Sequence, residues 1–308
     1  MKILIYGAGV QGQFLAHALN TKENTVTMLA RGKTLEQLNQ KGLKFKHLLQ
    51  RKTTIEYIPT INTLSEQDIY DVIFVTMKYS DFYNVVPTLA ENKSQNIIFV
   101  GNNMNPKLLQ KTLMQQSHHT KHITFGFLMI GGSREDNDTK ILRFNAGELK
   151  VGNMYGDIAF AHELNSIFKN TKIKLTYEAK FEDWLMSHAA SILPINMLFI
   201  LKQRKKHHTD ALIKETIAAF NEMYQLLEHQ GHRIRPKAQT IIFKKFKGLS
   251  YILLKVVMNI GLIDQTQGSF KELEAIYNDI KVLNQDTALT TRHLDNLFEK
   301  SKSVSENN

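Results

Sequence analysis

The sequence contains no cysteine. Disulfides, thiolate zinc sites and a cysteine nucleophile are therefore excluded, and the composition fits a reducing, cytoplasmic setting. No secretory signal is visible: the apolar run Ile3–Tyr6 is too short for the core of one, and no small-residue cleavage site follows it. No apolar run reaches the ~18 residues that suggest a membrane-spanning helix. The longest, LSYILLKVVMNIGLI at Leu249–Ile263, is interrupted by Lys255. It reads as a buried helix, serving either as core or as the seam of a homodimer, with a membrane-surface segment as the alternative. Histidines occur in adjacent pairs with no carboxylates clustered around them, so no metal site is expected. No internal repeat is found.

What is present is an ordinary globular composition, with 43% hydrophobic and 22% charged residues. A chain of 308 residues is long enough that two cores are expected rather than one. The formal net charge is +10, and it is concentrated. Between Lys202 and Lys255, twelve Lys and Arg face four Asp and Glu. This excess reads as a solvated face or as attraction for a small anionic substrate or cofactor phosphates. No nucleic-acid motif accompanies it, so nucleic acid is not an expected partner. The densest part, QRKKHH at Gln203–His208, reads as a charged turn.

The first half alternates strand-like and helix-like segments. Lys2–Tyr6, Thr25–Leu29, Asp71–Met77, Asn96–Val100 and His122–Ile130 read as strands, several of them apolar throughout as strands buried on both faces are. Val10–Leu19 has helical spacing. Lys140–Val151 reads as further strand, with an antiparallel hairpin turning at Asn145-Ala146-Gly147. This grammar predicts an α/β fold with an N-terminal Rossmann-type, doubly wound sheet. From Glu178 onward the periodicity is helical, over Glu178–Ile200, Ala211–Gln230, Ile241–Ile263 and Phe270–Lys300, predicting an all-helical C-terminal domain. The expected domains are residues 1–176, residues 177–300 for substrate and dimerisation, and a polar, disordered tail at residues 301–308.

Gly7, Gly9 and Gly12 form G-x-G-x-x-G within GAGVQG, and Ala8, Val10 and Gln11 complete the loop. The context gives the pattern its specificity: it follows a strand, opens a helix and precedes a second strand. The first glycine permits the tight turn, the second lets backbone approach a pyrophosphate, and the third lets helix and strand pack closely. The pyrophosphate then meets unpaired N–H groups at the positive end of the helix. The second strand ends in Ala30-Arg31-Gly32-Lys33, with no acid to accept from a ribose 2′-hydroxyl. A guanidinium binds a 2′-phosphate that a carboxylate would repel, so Arg31, helped by Lys33, points to NADP(H).

With VTMK at Val75–Lys78 and GNNMNP at Gly101–Pro106, these motifs occur in an order that resembles the ketopantoate reductase family, the NADPH-dependent 2-dehydropantoate 2-reductases. FNAGELKVG at Phe144–Gly152 is similar to that family's closing hairpin. The resemblance covers nearly the whole chain, but its specific motifs lie in the first half. It implies that Lys78 lies near nicotinamide and substrate and that Asn102 lies beside the same site.

The resemblance breaks in the first helix of the second domain. The family carries a lysine two residues after a tryptophan, with asparagines four and eight positions further on. Counting from Trp184, those positions hold Met186, Ala190 and Pro194. Ser269 matches the family's distal motif only weakly. Hydride transfer to a ketone still needs a group to stabilise the oxygen. His188 is one candidate, sharing a helix face with Trp184, Ser191 and Ile195 and able to donate a proton near neutral pH if that face looks into the interdomain cleft. Lys180, in a different register, and Lys78 acting alone are the others. The expected activity is NADPH-dependent reduction of a carbonyl of 2-oxo acid type, on a substrate bulkier or less polar than ketopantoate. The alternatives are a non-catalytic NADP(H)-binding sensor or interaction protein and a dehydrogenase acting on an imine or amino acid conjugate.

Overall fold

The computed structural model describes residues 1–135, 138–203, 209–259 and 269–306. The chain forms two units, one of residues 1–101 with 105–181 and one of residues 102–104 with 182–308. The division falls after Phe181 rather than at residue 176, and the short segment Asn102–Met104 goes with the helical unit.

The first unit opens with β1 (Lys2–Tyr6), α1 (Val10–Leu19), β2 (Thr25–Leu29) and α2 (Gly32–Lys41). β3 (Leu43–His47), β4 (Lys52–Glu56), β5 (Thr60–Ile61), β6 (Val72–Val75), α3 (Phe82–Glu91), β7 (Asn96–Val100), α4 (Pro106–Gln116) and β8 (His122–Leu128) follow. It closes with β9 (Gly131–Glu135), β10 (Asp138–Leu142), β11 (Glu148–Gly152), α5 (Ala161–Phe168) and β12 (Lys174–Tyr177). The main sheet has the order β12-β11-β8-β7-β6-β1-β2-β5, and its strands from β8 to β5 are all parallel. β11 runs antiparallel to β8. This is the doubly wound arrangement the sequence implies: β1 continues outward to β2 on one side, and β6 lies on its other side. The strand order reverses between β1 and β6, where ligands bind in such sheets.

The central strands are apolar because both faces are covered: Ile3, Leu4, Ile5, Val72, Ile73, Phe74 and Val75 have no exposed surface. Phe14, Leu15 and Leu19 of α1 and Leu164, Ile167 and Phe168 of α5 pack into the same core. Buried Asn24 ties these two helices, its Nδ2 donating to Leu19 O at 3.1 Å and Ile167 O at 2.9 Å.

A second sheet, β4-β3-β10-β9, corrects the sequence reading of residues 140–151. β10 and β11 do not form a hairpin with each other. β10 pairs in parallel with β3 and antiparallel with β9, while β11 joins the main sheet. The turn at Asn145-Ala146-Gly147 is a crossing between sheets, with positive φ at Asn145 (51°) and Gly147 (89°).

The second unit is helical: α6 (Phe181–Gln203, whose first residue belongs to the first unit), α7 (Thr209–His229), α8 (Lys237–Lys245), α9 (Lys247–Asn259), α10 (Phe270–Leu283) and α11 (Arg292–Ser305). Two expected long helices are each divided, at Phe246 and over residues 284–291. The expected disordered tail is also corrected, since α11 continues to Ser305 and buries Ser301. Its N-terminus is held by the buried Glu222, whose carboxylate accepts from the N–H groups of His293 and Leu294, both at 3.0 Å. Over Phe181–Lys202, α6 is long and apolar enough to cross a membrane, but 83% of its most apolar window is buried, so it serves as core.

The reading of Leu249–Ile263 as a buried helix is corrected as well. On α9 only Ser250, Leu254 and Met258 are buried, whereas Leu249, Ile252, Leu253 and Val256 are exposed. One stripe suffices to dock the helix, and the rest faces outward. The end of that stretch and most of the Gln203–His208 run lie outside the described residues.

Candidate nucleotide-binding site

At the carboxyl end of β1 the chain turns sharply. Gly7 takes φ +117°, which L side chains rarely adopt, and a Cβ there would lie 2.9 Å from Met77 Sδ. Gly12 is packed more tightly: a Cβ would meet Gly7 O at 2.0 Å and Thr76 Oγ1 at 2.4 Å. Thr76 follows β6, and its hydroxyl donates to Gly7 O at 2.9 Å, locking the turn to the neighbouring strand. Gly9 differs from both. It precedes α1 in ordinary extended backbone, φ −75° and ψ −174°, and a Cβ would meet nothing within 4 Å.

Val10, Gln11 and Gly12 supply first-turn N–H groups that a helix leaves without internal partners. No side chain caps this end and no acidic residue lies in the first turn. Gly9 thus fronts a cradle that a side chain would fill, at the positive end of a helix. These residues fit a dinucleotide pyrophosphate.

The adjoining cavity, of about 300 Å³, is lined by Tyr6, Gly7, Ala8, Gly9, Arg31, Thr34, Lys78, Asp81 and Arg134 among others. Of the residues expected from the sequence, it gathers Gly7, Ala8, Gly9, Arg31 and Lys78. Arg31 ends the approach to α2 in an exposed position, and its Nη2 donates to Tyr6 OH at 3.2 Å. The first turn of α2 has no acidic residue and no side-chain cap. Lys33 does not line the cavity. Lys78 is exposed and follows β6 by the same rule that places Gly7 after β1: carboxyl ends of strands at the reversal line the crevice.

Arg134, on β9, escaped the sequence reading. Its Nη1 donates to Ala8 O at 3.0 Å and its Nη2 to Thr34 Oγ1 at 2.9 Å. No spacing rule reveals it, because it reaches the site only through the second sheet.

Asn102 and His188 belong to the second unit. Asn102 Nδ2 donates to Glu272 Oε1 at 3.2 Å. Glu272 was also missed, although Ser269-Phe270-Lys271-Glu272 has the S-x-x-E spacing of a helix start. Ser269 does precede α10, but its side chain does not cap the helix.

His188 stacks flat on Trp184, with ring centroids 5.1 Å apart and an interplanar angle of 5°. Burial pushes its imidazole down to about 4. Such a ring is neutral near pH 7, because burial costs the charged form its hydration. Ser191 points inward, its hydroxyl 3.0 Å from Tyr224 OH. Met186 and Ala190 are buried in the core, and Lys180 is exposed. Among the described residues no group of His, Asp and Glu could hold a metal ion.

Comparison with known proteins places this architecture. An uncharacterized oxidoreductase, YkpB of Bacillus subtilis (strain 168), is 33% identical over 78 residues, which span a quarter of each chain. D-Mandelate dehydrogenase, solved with NADH and anilino(oxo)acetate, superposes with a TM-score of 0.77 over 100% of this chain and 99% of its own, at 16% identity. A dimeric ketopantoate reductase from Staphylococcus aureus gives 0.67 over the same shares at 14% identity, and these likenesses speak to the fold. The family described as "Ketopantoate reductase PanE/ApbA" matches residues 3–156, from the second residue of β1 to just beyond β11. With half its length matched by that description, this chain is a member of the ketopantoate reductase family of oxidoreductases.

Proposed function

We propose that the protein is an NADPH-dependent reductase of a 2-oxo acid, with a substrate other than ketopantoate. The observation that carries this reading is one cavity lined by the glycine turn, Arg31 and Lys78. The α1 N-terminus holds the pyrophosphate, and Arg31 reads the 2′-phosphate through charge-assisted hydrogen bonds. Bound NADPH supplies the hydride for the carbonyl carbon. Lys78 stabilises the charge that develops on the carbonyl oxygen and gives it a proton. Asn102 donates to Glu272 within the second unit and is left out of this site. His188 is a neutral ring packed on Trp184 and is left out of the proton path.

NADPH oxidation followed by absorbance, with a panel of 2-oxo acids, tests this reading. Turnover of an apolar or aryl 2-oxo acid is expected, and Lys78→Met should lower kcat about 100-fold. Faster turnover of ketopantoate than of the others would contradict the substrate assignment. The stacking of His188 on Trp184 favours one second reading, a non-catalytic NADP(H)-binding protein. It predicts tight cofactor binding with no oxidation by any oxo acid in the panel.

A further inference from the structure

We infer that Arg134 is a second guanidinium of the 2′-phosphate clamp, delivered by the small sheet, and that it sets the preference for the phosphorylated cofactor together with Arg31. The inference rests on the cofactor reading above. Arg134 bridges the two walls that such a phosphate would touch. One is the glycine loop, at Ala8 O, and the other is the first turn of α2, at Thr34 Oγ1. Arg31 immediately precedes that same turn and lines the same cavity. A phosphate there meets Arg31, the N–H groups that open α2, the Thr34 hydroxyl and Arg134. The cavity wall carries Arg31, Lys78 and Arg134 against the single carboxylate of Asp81, a balance suited to a dianion.

The small sheet is built to bring this residue in. Gly132 lies two positions before Arg134, and a Cβ there would come within 2.9 Å of Val10 Cγ1 and 2.2 Å of Lys140 O. Only glycine lets β9 close on the first turn of α1. On β10, the Thr139 hydroxyl bonds to the buried Gln13 Oε1, and Gln13 Nε2 donates to Ala8 O at 3.0 Å. Ala8 O therefore accepts from both Gln13 and Arg134, so β9, β10, α1 and the glycine loop form one bonded frame. A neutral residue at position 134 could keep part of that frame but not the charge.

Dissociation constants for NADPH and NADH, measured by fluorescence titration on the full chain, test the assignment. Arg134→Gln should weaken NADPH about tenfold and NADH less than about twofold, with Arg134→Lys intermediate and Thr34→Val a milder version of the same selective loss. A thermal melt of each variant confirms that the chain is folded. Equal losses for both cofactors, or no loss, would overturn the inference, leaving Arg134 a loop tether or a bystander. Should the wild-type protein itself fail to prefer NADPH, the underlying cofactor reading falls, and the clamp with it.

Discussion

Gly12→Ala is expected to disrupt the cofactor loop outright, whereas Gly9→Val should leave the fold intact and still abolish dinucleotide binding. The contrast follows from what a side chain would meet. At Gly12 a methyl group would stand 2.0 Å from Gly7 O and 2.4 Å from Thr76 Oγ1. Gly7 O cannot yield alone, because it is backbone in a turn tied to Thr76 at 2.9 Å. Relief requires α1 to move away from the sheet, with a destabilisation of about 3 kcal/mol or more. At Gly9 the backbone is ordinary and a Cβ meets nothing, so Gly9→Val should change stability by no more than about 1 kcal/mol. Its side chain would project in front of the helix N-terminus and should weaken NADPH binding by at least about 100-fold. Urea denaturation and cofactor titration of both variants check this. A Gly9→Val protein that binds NADPH like the wild type would contradict it.

The second large effect is loss of stability in mild acid. Burial pushes the imidazole of His47 down to about 4, helped electrostatically by His17, Arg143 and Lys52 and opposed by Glu56. His188 is pushed to about 4 by burial. Both folded values lie below the ordinary 6.5, so both rings are held neutral in the native state. As pH falls from 6.5 toward 4, the unfolded chain takes up protons that the folded one refuses, and stability is lost across that window. The loss is complete at about pH 4 and absent above 6.5. It amounts to about 3 kcal/mol for His188 and about half that for His47, which borders a cavity of about 580 Å³. Glu56, held below its usual value first by its hydrogen bond to His17, adds its own loss only below about 4.5. His188→Phe keeps a ring on Trp184 and removes the titration. The stability gap between variant and wild type should shift in favour of the variant as pH drops from 6.5 to 4, and a gap independent of pH would contradict this account.

Local pattern made much of the first unit legible. β1, α1, β2 and β7 fall on the residues their apolar runs indicate, because each strand is buried on both faces and each turn is marked by glycine or a polar pair. The glycine loop could be read because its three roles are local. What escaped is what depends on distant pairing. Leu43-Lys44-Phe45-Lys46-His47 alternates inward and outward as a half-buried strand does, yet nothing nearby reveals that β3 pairs with β10, almost a hundred residues on. Without that pairing the hairpin at residues 145–147 was the natural inference, and Arg134 had no reason to be near Ala8. In the helical unit, periodicity showed which segments coil but not where they stop. Phe246 ends α8 without glycine or proline to announce it. The outward apolar stripe of α9 and the burial of Met186 both depend on which helix covers which face.

In the proposed reading, the glycine turn grips a diphosphate while Arg31 recognises the additional phosphate of NADPH. Calorimetric titration of the wild-type chain with NADPH and, separately, with NADH tests it most directly. Both cofactors should bind, with NADPH tighter by about tenfold or more. Equal affinity for the two cofactors, or no heat of binding with either, would contradict it.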